Sequence, residues 1–135
     1  MARKSIPRPR CGSRWTEARY QGFIKNQLRS ATRKWAPISD CLKGARLRRG
    51  FYRCAHCPTD APTTIKVGHK RMKNVSVDHI NPIVPVTGWV GWDHYIESMF
   101  CEEENLQVLC KKCHDKKSAV EAGQRKIHRS KGGST

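Results

Sequence analysis

Acidic residues are scarce: 11 Asp and Glu stand against 27 Lys and Arg, a formal net charge of +16 at pH 7. So one-sided a balance excludes the mixed-sign surface of an ordinary solvated domain. It points to phosphate as the partner, because neutralising phosphates releases counterions. Long apolar runs are missing as well. Nothing approaches the ~20 residues that a membrane-spanning helix needs, and the N-terminus lacks the apolar stretch of a secretion signal. No membrane partner is expected, and the expected location is cytoplasmic. Apolar residues make up 37% of the 135, little for a self-sufficient core, so a metal staple is expected to supply the shortfall. Cysteine is plentiful, but its number, seven, is odd. That argues against a closed disulfide framework, while two Cys-x-x-Cys pairs argue for metal in a reducing compartment.

Residues 1–13, with Pro7, Pro9 and Gly12 among Arg and Lys, read as a flexible basic arm. From 14 to 50 the pattern is helical. Tyr20, Phe23, Ile24, Leu28, Ala31 and Trp35 recur at three- and four-residue steps on one face. Pro37 ends that helix, because the residue before proline avoids the helical region. Ser39 or Asp40 caps a second short helix carrying Cys41, Leu42 and Ala45, closed by Gly50. Together they read as a basic helical arm packed against a metal core. From Phe51 the character changes. "TIKVGHKRMKN" reads as a strand with a basic turn, and "VSVDHI" as a strand stopped by Asn81-Pro82. Residues 81–91 form a loop, "WDHYIESMF" a short helix, "NLQVLC" a second strand and residues 111–127 a final helix. Residues 128–135 read as a flexible tail. The expected class is α+β, a metal-stapled core over 51–127 preceded by the basic arm.

Cys54-Ala-His-Cys57 and Cys110-Lys-Lys-Cys113 supply four thiolates from two tight turns. That is the donor set of a structural, tetrahedral Zn2+ with Zn–S bonds of about 2.3 Å. The 52 residues between Cys57 and Cys110 exceed an ordinary finger loop, so the ion joins two distant stretches of chain. Four thiolates leave no open position for a substrate. Cys11, Cys41 and Cys101 have no partner at useful spacing and read as buried or free thiols. His56, inside the first knuckle, reads as solvent-facing. His114 follows Cys113 directly and is not needed for zinc. On a helix the two side chains project ~100° apart, so one can serve the zinc and the other a second site.

Asp78 and His79 stand side by side in "VDHINPI". Adjacent strand residues face opposite ways, so for both to serve one site the chain must bend there. A carboxylate with an imidazole suits a hard divalent cation and a general base. Alone, the pair is more simply a surface Asp-His at a strand end. Its company changes that reading: Asn105 opens "NLQVLC", and His114 lies nine residues further on. Asp-His at a strand end, Asn before a second strand, then Cys-x-x-Cys-His on a helix: this order resembles the HNH endonuclease family, with its ββα-metal fold. The matching residues are Asp78, His79, Asn105 and His114, and Cys54, Cys57, Cys110 and Cys113 match the zinc-bearing branch. The resemblance covers about residues 51–120. The whole layout is similar to the small stand-alone HNH proteins of bacteriophages.

The resemblance implies divalent-metal-dependent hydrolysis of DNA phosphodiesters. His79 is the implied general base. Asp78 and His114 are the implied holders of one catalytic divalent cation, Mg2+ or a similar hard ion. Asn105 either ligates that ion or ties down the loop that carries His79. Lys111, Lys112, Lys116 and Lys117, with Arg46, Arg48 and Arg49, are expected on the phosphate backbone, positioning DNA without reading its sequence. The implied partner is double-stranded DNA, bound by a monomer or homodimer in an infected bacterial cell. The competing reading is a non-catalytic zinc-stabilised nucleic-acid-binding module, or an accessory protein recruited to a phage packaging enzyme. His69, His94 and His128 are isolated and read as non-catalytic. Trp89 and Trp92 can stack on bases, but core packing or loop anchoring is the simpler role for at least one of them.

Overall fold

The computed structural model describes residues 5–57 and 59–132; residues 1–4 of the basic arm and 133–135 of the tail lie outside the described residues. The chain divides into two compact units, Met1–Lys34 and Trp35–Thr135.

In the first unit, Arg10 O accepts from both Arg14 N and Trp15 N, closing a turn in which Cys11, Gly12 and Ser13 all take positive φ. The end of the arm expected to be flexible is therefore folded. Helix α1 (Glu17–Ala31) starts at Thr16, whose hydroxyl accepts from Arg19 N and satisfies one of the orphan donors of the first turn. The Arg10 guanidinium pairs with Glu17 at 2.9 Å and lies over the Tyr20 ring, while Trp15 packs on Phe23. No residue of α1 is fully buried.

Helix α1 ends at Ala31 and passes into a 3-10 turn, Thr32–Lys34. Pro37 belongs to the next helix, α2 (Ala36–Ala45), where a proline in the first turn removes only an N–H that had no helical partner. The expected helix reaching Trp35, with a fresh cap at Ser39 or Asp40, is corrected accordingly. Trp35 is the N-cap of α2; its indole Nε1 donates to Cys101 O at 2.6 Å, and its ring meets Phe100 edge-on. The expected arm over 14–50 is thus divided, because α2 lies in the second unit and packs Cys41, Leu42 and Ala45 on the core.

Strands β1 (Arg46–Arg48), β2 (Phe51–Arg53) and β3 (Asp60–Pro62) form a small antiparallel sheet around the first knuckle. Gly50 is not a helix cap: it turns the β1–β2 hairpin at φ +81°, a conformation that glycine adopts without a Cβ penalty. Strands β4 (Thr64–Val67) and β5 (Lys70–Lys73) make the basic hairpin. Strands β6 (Val75–His79) and β7 (Leu106–Cys110) pair antiparallel, with Asp78 opposite Gln107 and His79 opposite Leu106. Helix α3 (Trp92–Met99) buries Tyr95 and Met99. Helix α4 (Lys111–Gly132) follows β7 without a linking residue and continues through 128–132, where a tail was expected.

The core is built from Cys54, Ala61, Val75, Val108 and Leu109 with Cys110 and Cys113. The fold is mixed helix and sheet around a cysteine cluster. Buried Asn74 ties three parts together: its amide donates to Pro62 O at 2.8 Å, and its Oδ1 accepts from Lys111 N at the start of α4. Among the described residues no helix is long and apolar enough to cross a membrane.

Candidate functional site

The first knuckle hangs on β7, since Ala55 N donates to Val108 O at 2.8 Å. Cys110 ends β7 and Cys113 lies in the first turn of α4, so the second knuckle spans a strand-to-helix junction. The Sγ atoms of Cys54, Cys57, Cys110 and Cys113 all lie within 4.8 Å of one another, and those of Cys57 and Cys110 are 3.5 Å apart. A tetrahedral ion with ~2.3 Å bonds sets its sulfurs about 3.8 Å apart, so the four fit zinc. Burial pushes the Cys54 thiol up, yet backbone N–H groups of Cys57, Cys110 and His56 aimed at its sulfur outweigh this and bring it down to about 6. Cys113 is pushed up to about 12, by its hydrogen bond with the Cys57 sulfur and by burial. Sulfurs this crowded do not all ionise without a cation between them. Among the described residues this is the one group of three or more side chains placed to hold a metal ion.

Next to it, Asp78 Oδ1 lies 3.9 Å from His114 Nε2. The separation is short enough for a single divalent ion to reach both atoms. The other carboxylate oxygen is already engaged. Asp78 Oδ2 accepts from Gln107 Nε2 at 3.0 Å and forms an ion pair with Lys117 Nζ at 3.2 Å. Lys117 Nζ also donates to His79 O at 3.0 Å and to Glu121 Oε1 at 2.8 Å. Burial pulls the Lys117 ammonium down, but its bonds to Glu121 and Asp78 outweigh that and hold it above the ordinary lysine value.

His79 goes elsewhere. Strand pairing continues through it, and the bend expected between Asp78 and His79 falls one residue later, at Ile80. The two side chains therefore leave the strand on opposite faces. His79 Nε2 meets Met99 O at 2.9 Å, at the end of α3. A carbonyl can only accept, so Nε2 carries the proton and Nδ1 is the basic nitrogen. Asn105 grips the loop after β6: its Oδ1 accepts from Asn81 N and Asn81 Nδ2, and its O accepts from Ile80 N.

The basic residues divide. Lys112 and Lys116 are exposed, as are Arg46 and Arg49. Lys111 pairs with Asp115, and Arg48 pairs with Asp60 while lying over the Phe51 ring. Lys117, expected on the DNA backbone, is instead enclosed by three acceptors. Sequence reasoning missed Gln107, Glu121 and the Met99 carbonyl. The Glu121 signal was present, since His114, Lys117 and Glu121 follow at three- and four-residue steps on one helical face. His56 is exposed, as are His69, His94 and His128. Trp89, Trp92 and Tyr95 pack on one another with ring centroids 5.1 to 5.8 Å apart, an anchor for the 81–91 loop. Arg125 pins the same loop, donating to Val84 O and Pro85 O. Between this loop, α3 and α4 runs an open groove of about 1190 Å3, with Lys112, Lys116, Lys117 and Asn105 in its walls. No family model, curated protein or solved structure matches the chain.

Proposed function

We propose that the chain is a divalent-metal-dependent DNA endonuclease of the HNH kind, with a β6–β7–α4 catalytic module stapled by a structural zinc. The observation that carries this reading is the approach of Asp78 Oδ1 and His114 Nε2 to 3.9 Å beside a four-cysteine cluster. The net charge of +16 supports DNA as the substrate.

In this reading His79 is the general base, taking a proton from the attacking water at Nδ1, with Met99 O holding the opposite ring nitrogen. Asp78 and His114 would hold a divalent cation, Mg2+ or another; when bound, it would supply positive charge to the scissile phosphate and the departing 3′ oxygen. The bonds from Asn81 to Asn105 support the loop-holding role for Asn105 over the ligand role. Lys112, Lys116, Arg46 and Arg49 meet the phosphate backbone. The compartment implied is the cytoplasm of a bacterium, with a phage origin suggested by the layout alone.

One observation favours the second reading, a zinc-stabilised nucleic-acid-binding module without catalysis: His79 and Asp78 leave opposite faces of β6. Nicking of supercoiled plasmid with Mg2+ or Mn2+ separates the two. The nuclease reading requires cleavage by the wild type that is lost in His79→Ala and in Asp78→Ala. Tight DNA binding without cleavage in any divalent ion establishes the other.

A further inference from the structure

Lys117 Nζ donates to His79 O at 3.0 Å and to Glu121 Oε1 at 2.8 Å, and forms an ion pair with Asp78 Oδ2 at 3.2 Å. Its side chain is 16% exposed. Three protein oxygens thus already surround the ammonium. The ammonium instead ties together two consecutive residues of β6, one through its side chain and the other through its main chain. Gln107 binds the same Oδ2 at 3.0 Å. With Oδ2 held twice, the carboxylate cannot turn about its terminal torsion, and Oδ1 alone is presented to His114.

We infer that Lys117 is a positioning residue and counter-charge for the Asp78–His114 pair: it aims Oδ1, fixes the His79 end of β6, and keeps a divalent cation there loosely held. The inference rests on reading Asp78 and His114 as a divalent-ion site. It has two consequences of opposite sign. A positive charge beside Oδ2 repels a cation on Oδ1, so its removal strengthens ion binding, all the more because Glu121 is left unbalanced nearby. The same removal frees the carboxylate and the strand end, so catalysis slows. A residue that merely stabilises the fold would weaken both.

The test uses the full-length chain with its zinc, comparing wild type, Lys117→Met and Lys117→Arg, each checked for zinc content and circular dichroism. Mn2+ affinity is read by electron paramagnetic resonance, DNA affinity at several salt concentrations, and kcat on plasmid. Lys117→Met is expected to bind Mn2+ about tenfold tighter. Its kcat is expected to fall by about tenfold or more, while DNA affinity and its salt dependence stay unchanged. Lys117→Arg keeps the charge and several donors, and is expected to return both Mn2+ affinity and kcat toward wild type. A Lys117→Met protein with Mn2+ affinity and kcat unchanged overturns the inference. So does one whose log–log salt slope for DNA drops by about 0.9, since that marks an ammonium that had been neutralising a phosphate. Should Lys117→Met fail to fold, Glu121→Gln serves: it leaves the ammonium to Asp78 alone, and Mn2+ binding should weaken; unchanged binding overturns the inference. A wild type that binds no Mn2+ outside the cysteine cluster removes the ion-site reading itself, whereas binding that is insensitive to these variants removes only the role of Lys117.

Discussion

Cys113 and His114 are neighbours in the first turn of α4, yet one joins the cysteine cluster and the other faces Asp78 at 3.9 Å. The ~100° between successive helical side chains makes this division of labour available. Cys110 ends β7 and Cys54 follows β2, so an ion held by the cluster would fix the angle at which α4 leaves the sheet, and with it the aim of His114.

Cys110→Ser is therefore expected to abolish cooperative folding of the second unit. Structural zinc in small domains contributes about 10–16 kcal/mol, comparable to or larger than the ~5–15 kcal/mol net stability of a typical domain. Zinc content and thermal unfolding measure this. A Cys110→Ser chain that stays folded without zinc would show that the cluster is not the staple.

His79→Ala is expected to lower kcat by about 10²- to 10⁴-fold, the usual contribution of a general base, with zinc content and DNA affinity retained. The hydrogen bond it removes, to Met99 O, is worth about 1 kcal/mol, too little to unfold the unit. Ring-nitrogen NMR supplies a second check: neutral His79 is expected as the Nε2–H tautomer. An Nδ1–H tautomer would contradict the assignment of Nδ1 as the base.

What the sequence made legible is what local period or fixed spacing encodes. The alternation in "VSVDHI" and "NLQVLC", the two Cys-x-x-Cys turns and the amphipathic "WDHYIESMF" all reappear as β6, β7, the cysteine cluster and α3. Strands β1, β2 and β3 were not legible, because three residues are too few to display a period. Trp35 follows Ala31 by a helical step of four, so it read as the end of α1; its true place is set by Cys101 O and Phe100, partners that no local pattern announces. Lys117 read as one more surface lysine for the same reason. Its partners on β6 are remote in sequence, and one is a main-chain carbonyl, to which residue identity gives no clue.

Leu109→Ala tests the sheet beneath the site. Leu109 is 0% exposed in the core cluster, and a buried Leu→Ala change costs about 2–5 kcal/mol, depending on how far the cavity collapses. Val67→Ala, at an edge position 47% exposed, is expected to stay within about 0.5 kcal/mol of wild type. Urea unfolding at fixed zinc distinguishes them, and equal stabilities would place the core elsewhere.

On the proposed reading, the salt dependence of DNA binding would sort the lysines of α4 by what they already hold. Removing one phosphate-neutralising side chain reduces the slope of log affinity against log salt by about 0.9. Lys112 and Lys116 are exposed and face the groove, so Lys112→Ala with Lys116→Ala is expected to reduce the slope by about 1.8. Lys111 is paired with Asp115 at 2.7 Å. A partly exposed pair of this kind is worth under about 1 kcal/mol and exchanges readily for phosphate, so Lys111→Ala should reduce the slope by less than one full phosphate's share. Residues 1–34 hold ten Lys and Arg against one acid, Glu17, which leaves 10 − 1 = +9 of the chain's +16 in that stretch. Exposed Arg29 and Arg33 should accordingly lower the slope when replaced by alanine, by about as much as the α4 pair. A slope indifferent to all five replacements would mean that neither α4 nor the stretch around Arg29 and Arg33 touches the backbone, and that the positive charge serves some partner other than nucleic acid.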